Sequence, residues 1–210
     1  MKQRYSVVIL GTDGSGKSTI INHITPFFAS KFPDGIVYNH LRPNLIPDLG
    51  VLLGKKKVET IVTSPHAKKQ SGLFVSLFRW GYYMIDYTLG YAKVVMLSKK
   101  SSLFIFDRYY YDYYIDQKRL RTNLPQWILR VGEYILPRPD LILCFGGDPQ
   151  KIYERKPETS LEEVMRQTQV LKAFCAKRNN AVWIDTTIAL EDSVHNATNK
   201  IFNMMNCTDY

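Results

Sequence analysis

Gly11-Thr12-Asp13-Gly14-Ser15-Gly16-Lys17-Ser18-Thr19 follows a short apolar run, Tyr5 to Leu10, and has the spacing G-x-x-x-x-G-K-[ST]. The apolar run reads as a strand and the stretch after it as a loop that binds phosphate. Glycines at 11, 14 and 16 let the backbone turn sharply and aim several N–H groups at one anion, a geometry that side chains would obstruct. Lys17 then reaches the terminal phosphates of a nucleotide, and Ser18 holds Mg²⁺. A helix starting near Lys17 points its positive dipole end at the same phosphates. Gly11, Gly14, Ser15, Gly16, Lys17, Ser18 and Thr19 are therefore the residues expected around the nucleotide.

Working outward, Ile20, Ile21, Ile24, Phe27 and Phe28 recur at helical spacing, and Pro26 bends or ends that helix. Gly35 to Tyr38 reads as a second strand, with a loop from His40 to Asn44. Residues 54 to 72 hold five lysines and Pro65, and read as a mobile basic loop. Leu73 to Ser98 contains no proline and favours one long helix. Leu103 to Phe106 is continuously apolar, as a strand buried on both faces requires, and ends in Asp107-Arg108-Tyr109. Pro139-Asp140 leads into a fourth strand, Leu141 to Phe145. Asp148 before Pro149 is an N-cap with proline at the first helical position. Ser160 with Glu163 has the capping-box pattern, and opens a helix carrying Leu161, Val164, Thr168, Leu171 and Phe174 on one side. A fifth strand, Ala181 to Asp185, ends in Thr186-Thr187, and a last helix runs from about Leu190 to Met204. Short buried strands alternating with helices predict a parallel, doubly wound sheet with right-handed crossovers.

Composition bounds the rest. The 210 residues, 45% of them hydrophobic, fit one α/β domain spanning 1–210. Cys144, Cys175 and Cys207 are odd in number and scattered, which suggests a reducing compartment, and the cytoplasm is the expected location. The N-terminal apolar run ends in the glycine loop and does not read as a signal peptide, and no transmembrane segment is expected. The formal charge of +9 suits nucleic acid, an anionic membrane or phosphorylated small molecules. No helix-turn-helix, zinc-finger or RNP signature accompanies it, which disfavours nucleic acid.

Phosphoryl transfer requires positioned anions and cations that neutralise the transferred group. Asp107, at the end of an apolar strand, stands where a Walker-B-type acid would hold Mg²⁺ or its waters; a turn or cap residue is the bland alternative. Arg108 suits an acceptor phosphate or an outward salt bridge. Arg155, Lys156 and Arg166 lie on a stretch, about 154–166, with the charge of a lid that closes over phosphates.

These motifs resemble thymidylate kinase, within the P-loop nucleoside monophosphate kinases. The resemblance rests on residues 11 to 19, Asp-Arg-Tyr at 107 to 109, Pro-Asp-Leu-Ile-Leu at 139 to 143 and the arginine-bearing stretch 155 to 166. It implies a three-layer P-loop kinase fold with a five-stranded parallel sheet in the order 2-3-1-4-5, flanked by helices. It also implies ATP with Mg²⁺ as donor, and a small-molecule phosphate acceptor, dTMP or a related nucleoside monophosphate, between the long middle helix and the Asp-Arg-Tyr loop. Asp13 would contact the reacting phosphates. Lys17, Asp13, Arg108, Arg155 and Arg166 would be the catalytic set, and Arg42, Arg79, Arg108 and Tyr109 the acceptor set. Ser18 and Asp107 would be the metal residues, and a homodimer is compatible with the family. Two departures lie on the acceptor side. The family's Arg-Glu-Pro-Gly is reduced to Arg42-Pro43, and the serine usual after Asp-Arg-Tyr is missing from Tyr109-Tyr110-Tyr111-Asp112. The run from Asp107 to Asp116, with five tyrosines, is similar to a divergent group found beside bacterial surface-polysaccharide genes. A kinase acting on a sugar or glycan hydroxyl is therefore the alternative, and a nucleotide-binding module without turnover the third reading. The tyrosines suit stacking on a sugar or base and equally suit packing between helices.

Overall fold

The computed structural model describes residues 4–32, 35–40, 46–47, 71–97 and 102–207. Its strands are β1 (Arg4–Gly11), β2 (Ile36–His40), β3 (Ser102–Asp107), β4 (Leu141–Gly146) and β5 (Ala181–Asp185). Its helices are α1 (Lys17–Ala29), α2 (Leu73–Leu97), α3 (Asp112–Ile115), α4 (Gln117–Leu120), α5 (Gln126–Ile135), α6 (Pro149–Arg155), α7 (Leu161–Ala176) and α8 (Leu190–Cys207). All strand pairs are parallel, in the order β2-β3-β1-β4-β5. Burial follows that order. β3 and β4 are buried along their whole length and β1 at every residue but its first, whereas the edge strands β2 and β5 are only partly covered. The apolar runs at 5–10, interrupted by Ser6 alone, 103–106 and 141–145 thus became the three central strands, where both faces lie against side chains.

The chain divides into two compact units. The first joins Met1–Leu41, Ser98–Tyr109 and Pro139–Tyr210, and contains the whole sheet. Its core packs Val7 and Ile9 of β1, Leu103 and Ile105 of β3, and Leu143 and Phe145 of β4 with Ile20, Ile24 and Phe28 of α1 and Ile201 of α8. Asp140, just before β4, pins β4 to β1: its Oδ2 accepts from the Ser6 amide at 2.8 Å and the Ser6 hydroxyl at 2.9 Å. Pro26 neither ends nor interrupts α1, which continues to Ala29. The carbonyl that the proline leaves without an N–H is that of Asn22, an exposed residue, so water can take the donor's place. Asp148 caps α6 through the Gln150 amide at 2.9 Å. The capping box at Ser160 is half formed: Ser160 Oγ accepts from the Glu163 amide at 3.2 Å, while the Glu163 carboxylate is taken by Arg166 and Gln167.

The second unit comprises Arg42–Leu97 and Tyr110–Arg138. Its centre is Tyr110, fully buried, which accepts from Trp80 Nε1 of α2 at 2.9 Å and donates to the Leu129 carbonyl of α5 at 3.0 Å. Gly132, one turn on in α5, faces the Tyr110 hydroxyl so closely that a Cβ there would overlap it. Tyr111 and Tyr113 are buried as well, and the Tyr110 and Tyr113 rings lie 5.2 Å apart. Packing, not an open stacking surface, is the environment of these three tyrosines. The basic loop expected at 54–72 lies, up to residue 70, outside the described residues. No helix among the described residues is long and apolar enough to cross a membrane.

Candidate functional site

The site is built at the carboxyl ends of β1 and β3, where an open parallel sheet presents its loops. Gly14 and Gly16 take positive φ of +83° and +74°, the left-handed region that glycine enters without a Cβ penalty. At Gly14 a second constraint acts, since an added Cβ would stand 2.6 Å from the Ile152 carbonyl of α6. Helix α6 thus seats directly on the crest of the loop. Gly16 is the N-cap of α1, so the helix dipole starts at the loop as its spacing predicts. Lys17 is buried, and its ammonium donates to the Gly11 and Thr12 carbonyls at 2.8 and 2.7 Å. Ser18 and Thr19 stand exposed in the first turn of α1.

Asp13 and Arg108 come together: Arg108 Nη2 donates to Asp13 Oδ1 at 2.5 Å. Arg108 is buried and has φ +73°, a conformation that costs a non-glycine residue roughly 1–2 kcal/mol. Its amide donates to the Ile9 carbonyl at 2.9 Å, which carries the β3 ladder past Asp107 and holds the turn against β1. Tyr109, expected at the acceptor, is buried with its ring 5.6 Å from that of Phe106.

Asp107 is 1% exposed. Its Oδ2 accepts from the Tyr38 hydroxyl at 3.1 Å and lies 2.8 Å from His40 Nδ1. Strand β2 is longer than the sequence pattern indicates, running to His40 in register with Asp107, because the parallel ladder with β3 continues to its end. Burial pushes the Asp107 pKa up, but the His40 hydrogen bond, the Lys17 and His40 charges and the Tyr38 hydroxyl outweigh it and hold the carboxyl below its usual range. The same arrangement raises Tyr38 to about 12, through its burial and then through the Asp107 charge and hydrogen bond. Asp107 Oδ1, Thr12 Oγ1 and Ser15 Oγ are buried with no hydrogen-bond partner. Unmet polar atoms at the ends of two neighbouring strands mark a place for a polar ligand, since leaving each unpaired costs about 1–3 kcal/mol. Among the described residues no three histidines, cysteines, aspartates or glutamates gather as a metal cluster. Mg²⁺ needs none, because it binds through one or two carboxylates, waters and substrate phosphates. The residues present fit that mode.

Beside the loop opens a cleft of about 240 Å³ lined by Gly16, Thr19, Ile20, Arg155, Thr186, Ile188, Leu190 and Ser193. Arg155 forms part of its wall, donating from Nη1 to the Thr186 carbonyl at 2.8 Å. Thr186, Ile188, Leu190 and Ser193 belong to no sequence motif. The signal that points to them is position, immediately after a parallel strand, where the chain turns into the ligand crevice. Arg166 is elsewhere engaged, donating from Nε and Nη2, one edge of its guanidinium, to the Glu163 carboxylate one turn back in α7 at 3.1 and 2.6 Å. Arg79 lies in the second unit, where it donates to the Arg121 and Leu120 carbonyls at 2.9 and 3.3 Å and closes the end of α4. Arg42 lies outside the described residues.

Thymidylate kinase from Candida albicans is similar with a TM-score of 0.58 at 16% identity, over 99% of this chain and 93% of that one. Thymidylate kinase from Ehrlichia chaffeensis is similar with a TM-score of 0.59 at 14% identity, over 96% of this chain and 98% of that one. The fold is that of the thymidylate kinases. No family model matches the chain, and no curated protein matches it in sequence. Within this thymidylate kinase fold the five-stranded order 2-3-1-4-5 puts β1 between β3 and β4, so Ile9 pairs with Asp107 on one side and Gly11, where the loop begins, with Phe145 on the other.

Proposed function

We propose that the protein is an ATP-dependent phosphotransferase that moves the γ-phosphoryl group to a nucleoside monophosphate, dTMP or a relative. The observation that carries this reading is the glycine loop, with the buried hydroxyls of Thr12 and Ser15 unpartnered on it and Asp107 Oδ1 unpartnered at the next strand end. The likeness to two thymidylate kinases supports the nucleotide-kinase class. On this reading the triphosphate lies along residues 11–19, and the nucleoside part of ATP enters the cleft between Gly16 and Ile188. Lys17 exchanges the loop carbonyls it now binds for phosphate oxygens. Ser18 and Asp107 would hold Mg²⁺, which supplies neutralising charge to the phosphates when bound.

Asp13 and Arg108 form the acceptor edge. A buried guanidinium beside the loop suits a dianionic acceptor, because its planar fork can bind phosphate oxygens that a neutral hydroxyl lacks. Tyr109 belongs with them in the proposed acceptor set, and Arg42 and Arg79 are proposed for it from the family resemblance alone. Arg155, Lys156 and Arg166 belong to a lid over 154–166 that excludes water from the transferred group, acting within one kinase domain of 210 residues in the cytoplasm.

The test is ADP release with a panel of nucleoside monophosphates, nucleosides and sugars. Release with a nucleoside monophosphate is the expected result. Release with sugars alone would replace the acceptor by a hydroxyl, and ATP binding without any release would leave a nucleotide-binding module.

A further inference from the structure

We propose that Tyr38 and His40 are positioning residues for the metal-facing oxygen of Asp107. The inference rests on the phosphotransferase reading above and adds to it a role for the edge strand. Residues 38 and 40 are two apart on β2, so their side chains leave the same face of the strand. The pairing Tyr38↔Ile105 and His40↔Asp107 brings both to the end of β3. There both reach a single atom, Asp107 Oδ2, at 3.1 and 2.8 Å.

A carboxylate oxygen can only accept, so His40 donates from Nδ1 and its tautomer is set by Asp107. Two donors on Oδ2 fix the plane of the carboxylate, which would otherwise rotate about its last bond. The rotation they select leaves Oδ1 buried and unpartnered, with the Lys17 charge near enough to depress the acid. One oxygen is thus saturated by protein donors and the other is kept for a ligand. Partners of this kind, which touch the ligating group and not the metal, orient it and keep it basic. Tyr38 and His40 sit on the partly covered edge of the sheet, with the His40 side chain half-exposed, so neither is needed to fill the core. Their placement is better explained by what they do to Asp107.

The experiment compares ATP binding by calorimetry in EDTA and in Mn²⁺, used as the probe for the divalent site, for wild type, Tyr38→Phe, His40→Ala and His40→Asn. The ratio of the two affinities reports the metal's contribution apart from turnover. Loss of such partners typically lowers metal affinity about 10–100-fold. The expected result is an unchanged affinity in EDTA for every variant and a metal enhancement reduced tenfold or more in His40→Ala. Tyr38→Phe should lose part of the enhancement, and His40→Asn, whose amide N–H can replace Nδ1–H, should recover most of it. Thermal melts identify any variant that has failed to fold, and Tyr38→Phe, which removes one hydroxyl from a half-exposed ring, serves as the mild variant. Enhancement at the wild-type level in folded Tyr38→Phe and His40→Ala overturns the proposal and leaves the kinase reading standing. An equal loss of affinity in EDTA and in Mn²⁺ also overturns it, since β2 would then support the loop and not the metal. A wild-type protein that binds ATP in neither condition ends both readings.

Discussion

Arg108 and Asp13, ninety-five positions apart, are joined by an ion pair in which both groups are largely withdrawn from water. Strands β1 and β3 are neighbours in the sheet, so the loop after one faces the turn after the other. Arg108 reaches Asp13 from a left-handed backbone, φ +73°, that its own side chain disfavours. A strained residue at the end of a central strand, buried and charged, is a mark of function more than of stability.

That strain and that charge can be separated. Arg108→Lys keeps the charge and loses the fork, and should raise the acceptor KM or lower kcat tenfold or more with the ATP KM little changed, a loss in line with about 1.5–3 kcal/mol for a charged hydrogen bond. Arg108→Gly removes the charge but relieves the backbone, and should abolish acceptor use while melting within a few degrees of wild type. Steady-state kinetics with the acceptor varied, together with thermal melts, check both. A large drop in Tm for Arg108→Gly would mean that the pair holds the sheet together.

Lys17→Ala should lower ATP turnover about 10²–10³-fold, the scale of losing one preorganised charge on a reacting group. Lys17 is buried, and its ammonium donates to the Gly11 and Thr12 carbonyls, which belong to the loop itself and not to the apolar core cluster. Circular dichroism of the variant should match wild type. Turnover near the wild-type rate would remove the donor assignment.

Gly132→Ala should destabilise the second unit by about 1–3 kcal/mol, as overpacking does, because the new methyl meets the Tyr110 hydroxyl. Paired with Tyr110→Ala, which removes the ring carbon that the methyl also overlaps as well as the hydroxyl, the methyl gains room, so the double variant should be more stable than the sum of the single changes requires. Denaturant melts of the four-member cycle measure the coupling. Strict additivity would show that helix α5 shifts to admit the methyl.

Cys144 and Cys175 are both buried, and the hydrogen bond between their sulfurs, with burial, pushes the Cys144 thiol up. Because the thiolate is the reactive form, Cys144 should resist alkylation in the native protein even at mildly alkaline pH and react once the chain is unfolded. Peptide mapping after iodoacetamide treatment, with and without guanidinium, reads this directly. Native labelling of residue 144 as fast as in the unfolded chain would contradict the packing of α7 on β4.

The central strands and the loop are legible in the chain because their causes are local. Apolar runs at 5–10, 103–106 and 141–145 can be satisfied only by burial on both faces. The glycines at 11, 14 and 16 create the turn within the segment where they stand. Asp148 and Ser160 cap helices through amides two and three residues away, which is why those two starts can be read directly. Residues of the site that act across the sheet carry no such signature. His40 reads as loop, since nothing within β2 marks a polar residue whose partner is on β3, 67 positions away. Arg155 reads as a charge over phosphates, yet its nearest fixed contact is the Thr186 carbonyl, set by where β5 lies beside β4. The tyrosines at 110, 111 and 113 leave stacking and packing equally open in the sequence; in the fold α2 and α5 supply Trp80 and Leu129 as partners to Tyr110, and all three are buried. The helices and the central strands follow from neighbours along the chain, whereas the end of β2 and the pairing of Asp13 with Arg108 and of Asp107 with Tyr38 and His40 follow from parallel crossovers that bring distant strand ends side by side.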